Sequence, residues 1–464
     1  MVLSSRRDDI ALPALDQHAA PEPFGATYVF QSRVGSEAIT YFRSLSAAGF
    51  AATSIAYGPA RMGYGLFVPE FRSAFSMSIS EVGFVSSLGF FGFFLGLVTA
   101  QTLLMWRGPA APVLLGLIAA TGGMGIVAAA PNLVVLAIGV FFAASSAGFA
   151  WTPFNDAVHR KVLGANRPAA LSEISTGTSV GIAAAGIAAF VMSLTGVSWR
   201  VCWIFFTIAG ALVFIANWAV LRQVGKASKN RADIQWREII RAPARPLFVV
   251  AFVFGTTSAI YISFAADRMT QAGDASGLSH ETAPAVLFIL YGVFGLAGLL
   301  TGQARNAIGL LWLLRLVMLA GVGSAIVTAI LPDTWAGLIL SAGLQGVHVM
   351  MMSAILAFWS EKLFPALPSF SFTVTLLATA VGSTLGPATA GLASNAFGAG
   401  PMFLGCAVLP LLTALLLRGC HVRERPVSDA VIDSDEGAGA YPTRSARAGR
   451  GRRPAHDAGA DDRG

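Results

Sequence analysis

The chain has 464 residues, of which 55% are hydrophobic and only 12% charged, with 50 glycines and a formal net charge of +7. A soluble domain carries about 25% charged residues, so this composition excludes a globular protein facing water on all sides. Cys202, Cys406 and Cys420 are isolated and show no metal-ligand spacing, so neither a metal nor any other cofactor is expected.

An apolar run of about 18–20 residues crosses the hydrocarbon core as a helix. Twelve such runs occur, at 45–69, 81–105, 110–130, 132–154, 171–195, 199–221, 246–269, 282–304, 308–331, 334–358, 369–396 and 399–418. They are continuous and lack the alternation of barrel strands, which predicts an all-α membrane protein of twelve transmembrane helices. Residues 1–44 read as a disordered tail without a cleavable signal peptide, because Arg6 and Arg7 precede acidic, proline-bearing sequence and no apolar core. Residues 419–464, rich in Gly, Ala, Arg and Asp, also read as disordered. The arginines of this tail either touch anionic headgroups or are simply solvated.

Basic residues set the orientation. With both termini in the cytoplasm, the inner loops hold Arg107, Arg160, Lys161, Arg167, Arg222, Lys226, Lys229, Arg231, Arg237, Arg241, Arg245, Arg305 and Lys362, and the outer segments only Arg72, Arg200 and Arg268. The net charge is therefore a topology signal, and no nucleic-acid partner is expected. The partners are the lipid bilayer and a small molecule, in a multi-pass protein of the cell membrane that is expected to be monomeric.

In the first helix Arg61 sits inside an apolar run, where an arginine costs about 2.5–3.5 kcal/mol and faces a cavity or a partner. Tyr57 and Tyr64 flank it at helical spacing, so phenols and guanidinium would share one face suited to a carboxylate or phosphate. The structural alternatives are pairing with Asp267 or a backbone carbonyl, or snorkelling outward. Ser78 and Glu81 form the S-x-x-E of a capping box opening the second helix. Phe90, Phe91, Phe93 and Phe94 come next, either as an apolar binding wall or as lipid-facing and packing residues.

The fourth helix ends in FAWTPFNDAVHRK (Phe149–Lys161). Here Trp151 is a cavity-lining or interfacial candidate, and Asp156 belongs either to an inner latch or to a solvated helix end. Glu173 starts the fifth helix as a candidate cap or coupling group. The basic stretch 222–245 divides the chain into bundles 45–221 and 246–418 and contains an amphipathic piece, Ile234–Ala242. Tyr261 interrupts the seventh helix, and Asp267 near its outer end is a candidate gating partner for Arg61. Gln345 and His348, three apart in the tenth helix, are read as substrate contacts, a proton relay or helix-bridging glue, and Met350–Met352 as an adaptable wall or packing filler.

The segment GTSVGIAAAGIA (Gly177–Ala188) returns 205 residues later as GSTLGPATAGLA (Gly382–Ala393), and GFFG (Gly89–Gly92) returns 203 residues later as GVFG (Gly292–Gly295). The shared offset points to a duplicated half, the construction of many secondary carriers. Gly177, Gly181, Gly386 and Pro387 are accordingly read as the seam on which the halves slide, with Pro387 as a bend.

With these features the chain resembles the major facilitator superfamily over Leu45–Arg418. The resemblance rests on the 6+6 layout, the basic central loop and the glycine-rich fifth and eleventh helices, and it implies two pseudo-symmetric six-helix bundles around a central cavity lined by the first helix of each half. Three departures stand beside it. The loop after the second helix reads LLMWRGPAAP (Leu103–Pro112) where the family has an Asp-Arg-x-Gly-Arg core. The family's arginine is absent from Val134–Phe154. Ile182 stands where the later glycine copy has Pro387.

No P-loop, nucleophile–base pair or metal cluster appears at membrane depth, which argues against an ATP-driven pump or an enzyme. No Asp or Glu occupies the central turns of any predicted helix. The expected activity is secondary transport of a small organic solute, an anion such as a carboxylate, by rocking the two halves. The alternative is a proton-coupled exporter of hydrophobic compounds. Coupling would run through His348, Glu173 or Asp156, or transport would be exchange without protons.

Overall fold

A computed structural model describes residues 43–162, 166–222, 224, 244–272, 282–365 and 368–422. Both predicted tails, most of the 222–245 linker and its Ile234–Ala242 piece lie outside the described residues. Among those described, twelve helices run in chain order: α1 (43–75), α2 (Ile79–Arg107), α3 (Ala110–Ala129), α4 (Leu133–Lys161), α5 (Arg167–Thr195), α6 (Trp199–Leu221), α7 (Arg245–Gln271), α8 (Ala283–Ile308), α9 (Leu310–Ile330), α10 (Trp335–Leu363), α11 (Pro368–Phe397) and α12 (Ala399–Leu416). Eleven are long and apolar enough to span a bilayer, α4 and α8 with 3₁₀ turns at Ser146–Phe149 and Leu296–Leu300. The first is broken by a π-helical turn at Gly58–Met62 and a second irregularity at Phe67.

The ends are set by local chemistry. Ser78 Oγ accepts the Glu81 N–H (3.2 Å) while Glu81 Oε2 accepts the Ser78 N–H (2.7 Å), so the predicted capping box starts α2. Asn132 caps α4 through the Val135 N–H, and Thr334 caps α10 through the Gly337 N–H. The fifth helix starts at Arg167, four residues before its apolar run, because Pro168 is favourable in a first turn. Glu173 therefore lies in the second turn, exposed, and caps nothing.

Packing repeats with a period of six helices. Within one half α1 packs on α5, α2 on α4 and α3 on α6, and within the other α7 packs on α11, α8 on α10 and α9 on α12. Across the halves α2 lies along α11 and α5 along α8. The glycine copies occupy equivalent places in this scheme. A Cβ at Gly177 would run into Phe50 O and one at Gly181 into Ser54 O. In the other half, a Cβ at Gly382 would run into Phe252 O and one at Gly386 into Thr256 O, all four closer than 3.0 Å.

This corrects the sequence expectation that these glycines form the sliding seam. They fuse the fifth helix of each half to that half's own first helix, because only a glycine face lets two backbones approach this closely. The seam lies on other faces. Gly186 meets α8 backbone at Ala285 and Ile289, Gly292 meets α5 at Ser179 and Ala183, and Gly83 meets Pro387 O and Gly391.

Gly181→Val is expected to abolish folded yield from membranes, read as loss of the monodisperse peak after detergent extraction. Gly405→Val, on a lipid-facing position where an added Cβ meets nothing within 4 Å, should leave that peak unchanged.

Candidate functional site

A cavity of about 760 Å³ opens between the halves, within the range of small-molecule sites. Its walls come from α1, α2, α4 and α5 on one side and α7, α8, α10, α11 and the start of α9 on the other. His159, Arg167, Arg305 and Glu361 line its mouth at the basic end of the bundle, where Arg107, Arg160 and Lys362 also sit. Arg61, Tyr57 and Ile262 close its deep end. Between them the wall is largely apolar, with Phe93, Trp151, Phe254 and Phe372, and carries hydroxyls such as Thr178 and Ser258 that have no hydrogen-bond partner.

The far end is shut by contacts between the halves. Arg72 on α1 donates through Nη1 to both oxygens of Asp267 on α7, each at 2.8 Å, and Gln271 Nε2 donates to the same carboxylate at 2.6 Å. Deeper in, the hydroxyls of Ser86 and Ser263 bond to each other, and the Ala388 N–H donates to Ser87 Oγ at 2.8 Å. The latter lies next to Pro387, whose ring disrupts the helical turn around it. Asp267 is therefore a gating candidate whose partner is Arg72 and not Arg61. Charge position along α1 alone does not distinguish the two.

Arg61 lies inside the π-turn of α1, where Pro59 sits in its first two positions. π-turns insert one extra residue and recur at functional sites. The inserted residue rotates the remainder of α1 about its axis, which separates the trio predicted to share a face. Tyr57 and Arg61 stay together in the cavity, whereas Tyr64 turns away, donates to Val82 O at 3.1 Å and stacks on Phe71. Tyr64 shares with Arg61 only a crevice of about 10 Å³.

The guanidinium of Arg61 rests over the rings of Phe93 (4.2 Å), Phe90 and Tyr57 (both 5.4 Å). It makes no hydrogen bond or ion pair with any described residue, and its Nε is buried without a partner. The aromatic faces hold a cation that lacks a counter-charge. Phe90 and Phe93 acquire this role because they alternate with Phe91, which is 41% exposed on the outer surface of the bundle.

Other candidates fall elsewhere. Trp151 lines the cavity and packs edge-on against Phe372 of the opposite half at 6.2 Å. Tyr261 is buried in the second half with its hydroxyl on Ser341 Oγ at 2.7 Å. His348 is fully buried, with Nδ1 on Val317 O at 2.7 Å and its ring against Phe254 and Gly321, and Gln345 is 2% exposed. These three lie outside the cavity wall, which corrects their assignment as substrate contacts in this conformation; Tyr261 and His348 bridge α7, α9 and α10 through these bonds, whereas the Gln345 amide nitrogen is buried without a partner. Met350 does line the cavity. Asp156 pairs with Arg160 of its own helix at 2.5 Å, as a helix-end pair four residues apart.

Residues 50–358, more than half of the chain, match the family model of the Major Facilitator Superfamily. The chain belongs to the major facilitator superfamily. Among solved structures, a bacterial homolog of the human lysosomal transporter Spinster, captured inward-facing and unoccupied, superposes with a TM-score of 0.62 at 14% identity, covering 81% of this chain and 96% of that one. The nucleoside transporter NupG superposes with a TM-score of 0.58, also at 14% identity, covering 81% and 97%. No curated protein matches the chain in sequence. These identities carry the fold, so the superfamily architecture of twelve helices in two related bundles is common to all three.

If the Arg72–Asp267 pair holds the far end shut, Asp267→Asn should open it, since removing one partner of a largely buried pair costs about 3–5 kcal/mol. Labelling of a cysteine introduced at Ile262 by a membrane-impermeant thiol reagent added from the far side should rise severalfold in the single variant. It should fall back in the charge-swapped Arg72→Asp/Asp267→Arg protein.

Proposed function

We propose that this superfamily member is a secondary carrier for a small organic anion bearing a carboxylate and an apolar body, moved by alternating access. One observation carries the reading: a guanidinium without a counter-charge closes the deep end of a cavity shared by both halves. A buried cation without a partner is costly. A carboxylate entering the cavity would supply the missing charge and two acceptors for the guanidinium fork. The apolar wall of Phe93, Trp151, Phe254 and Phe372 would take the rest of the solute, which favours amphipathic acids over fully polar ones.

With the basic end placed in the cytoplasm by the distribution of Lys and Arg, the cavity is inward-open and the Arg72–Asp267 pair is the closed outer gate. Neutral nucleosides, which NupG carries by its name, give Arg61 no charge to bind. In this respect the site differs in kind from a nucleoside site. Glu361 is the one carboxylate of the described cavity wall, and it lies at the mouth. The described wall therefore offers no acid at the depth of Arg61 through which transport could be coupled.

The test is uptake into proteoliposomes of radiolabelled lactate, benzoate and octanoate, each beside its uncharged amide. Saturable uptake of at least one acid but not of its amide is expected. Arg61→Gln should reduce it by about two orders of magnitude, as loss of a charge-assisted bidentate contact does, and Arg61→Lys should restore part. Transport of the amides as fast as the acids, or of cations only, would overturn the reading.

A further inference from the structure

The cavity wall carries two hydroxyls, one from each half, that no described residue bonds. Thr178 of α5 and Ser258 of α7 line the same cavity that Arg61 and Tyr57 close, both are more than nine-tenths buried, and neither oxygen has a hydrogen-bond partner. A helical serine or threonine commonly bonds back to a carbonyl three or four residues earlier, as Thr176 does to Ser172 O and Thr256 to Phe252 O. For these two residues the nearby carbonyls are already engaged. Ile174 O accepts from Thr53 at 2.7 Å, Gly255 O from Ser383 at 3.1 Å and Phe254 O from Thr257 at 3.3 Å. The duplicated half supplies an internal comparison. Ser383 stands in α11 where α5 has Thr178, and it is Ser383 that donates to Gly255 O, whereas Thr178 donates to nothing.

Both hydroxyls lie close to the cation in depth. On α7, Ser258 is one turn, about 6 Å, from Ile262, which shares with Arg61 both the deep end of the cavity and the crevice behind it. On α5, Gly177 packs on Phe50 and Gly181 on Ser54 of α1. Thr178, between them, therefore stands about one turn from Tyr57, whose ring lies under the guanidinium. A buried hydroxyl without a partner is destabilising, and alanine or valine would avoid that cost. In the empty carrier each oxygen is turned from water while its side chain lines the cavity, so a rotation about χ1 presents it to a solute.

Resting on the assignment of Arg61 as the anion site, we propose that Thr178 and Ser258 receive a second polar group of the solute, a hydroxyl or keto oxygen a few bonds from the carboxylate. The substrate class is then a hydroxy or oxo acid, with its apolar remainder on Phe93, Trp151, Phe254 and Phe372. The match is to a neutral group because each wall hydroxyl is neutral and can both donate and accept. An unsubstituted acid neutralises Arg61 equally well but leaves both hydroxyls unpaired. A site with committed polar groups rejects an analogue that lacks their partner in this way.

The experiment measures uptake of lactate beside propionate, and of 3-hydroxybutyrate beside butyrate, by wild type, Thr178→Val, Ser258→Ala, Ser383→Ala and Arg61→Gln in proteoliposomes, together with thermal unfolding of each purified protein. In the wild type, kcat/KM for the hydroxy acid should exceed that for its unsubstituted partner about tenfold or more in at least one pair, as two added hydrogen bonds allow. Thr178→Val and Ser258→Ala should each lower this ratio about three- to tenfold, with Tm unchanged or higher because only an unpaired hydroxyl is removed. Ser383→Ala, which breaks the bond to Gly255 O, should lower Tm and leave the ratio at its wild-type value. A wild-type ratio near one in both pairs, with uptake still lost in Arg61→Gln, would overturn the role of the two hydroxyls and leave the anion site standing. A ratio unchanged in either variant, or a Tm lowered in either because its hydroxyl has a structural partner, would overturn it as well. Absence of carboxylate uptake by the wild type would remove the anion site, and these contacts with it.

Discussion

The Arg72 guanidinium and the Asp267 carboxylate hold α1 against α7 at the end opposite the basic loops, and the cavity has its shape because they do. With α1 and α7 clasped there, the halves splay toward the basic end, and the space between them narrows to Arg61. The carboxylate is only 6% exposed and is shared with Gln271, so it has little water to fall back on. A bidentate pair in such surroundings is strongly favourable once made and costly to leave half-made. It also removes the acid of α7 from reach of Arg61. The same contact that closes the far end therefore leaves the inner cation without a counter-charge.

Much of the architecture is legible in the sequence because length and hydropathy speak directly to a membrane. Twelve apolar runs correspond to twelve helices, and the capping box at Ser78–Glu81 forms as predicted. The duplicated glycine segment correctly signals related halves, but not the partner of each copy. A glycine face announces close packing without naming the helix that fills it, and here each copy meets its own half's first helix. Tyr64 departs from expectation for a different reason. A spacing of three places residues on one face only in a helix of regular pitch, and the π-turn at Gly58–Met62 breaks that pitch. Glycine and proline at 58–59 hint at the irregularity.

The division of labour among the glycines bears on how the molecule moves. Approaches closer than 3.0 Å from an imagined Cβ to backbone leave no room for α5 to shift on α1, or α11 on α7. Each half is therefore tightly packed within itself. The seam has glycines too, at Gly83 and Gly186, yet its polar contacts are few and neutral on the far side: the Ser86–Ser263 pair, the Ala388 N–H on Ser87 and a long bond from the Ser80 hydroxyl to Gly391 O. Pro387 places a loosened turn on this surface, where its neighbour's N–H is satisfied from the other half instead of from within the helix alone.

Magnitudes then decide which contact controls the switch. A neutral hydrogen bond between helices in a membrane is worth about 0.6 kcal/mol on average, so the three seam bonds together contribute at most about 2 kcal/mol. The Arg72–Asp267 pair, at about 3–5 kcal/mol against loss of one partner, outweighs them. Taking a two-state equilibrium from 1:99 to 99:1 requires about 5.5 kcal/mol. A solute that only neutralised Arg61 within one half would add nothing to that difference, because it would bind both open states alike. A solute whose carboxylate neutralises Arg61 while its apolar body packs on Phe254 and Phe372 of the second half would touch both halves at once, and its binding energy would then be available to offset the clasp. The outer ion pair and the inner unpaired cation thus act as opposing terms of one equilibrium, with the solute carboxylate as the term that changes.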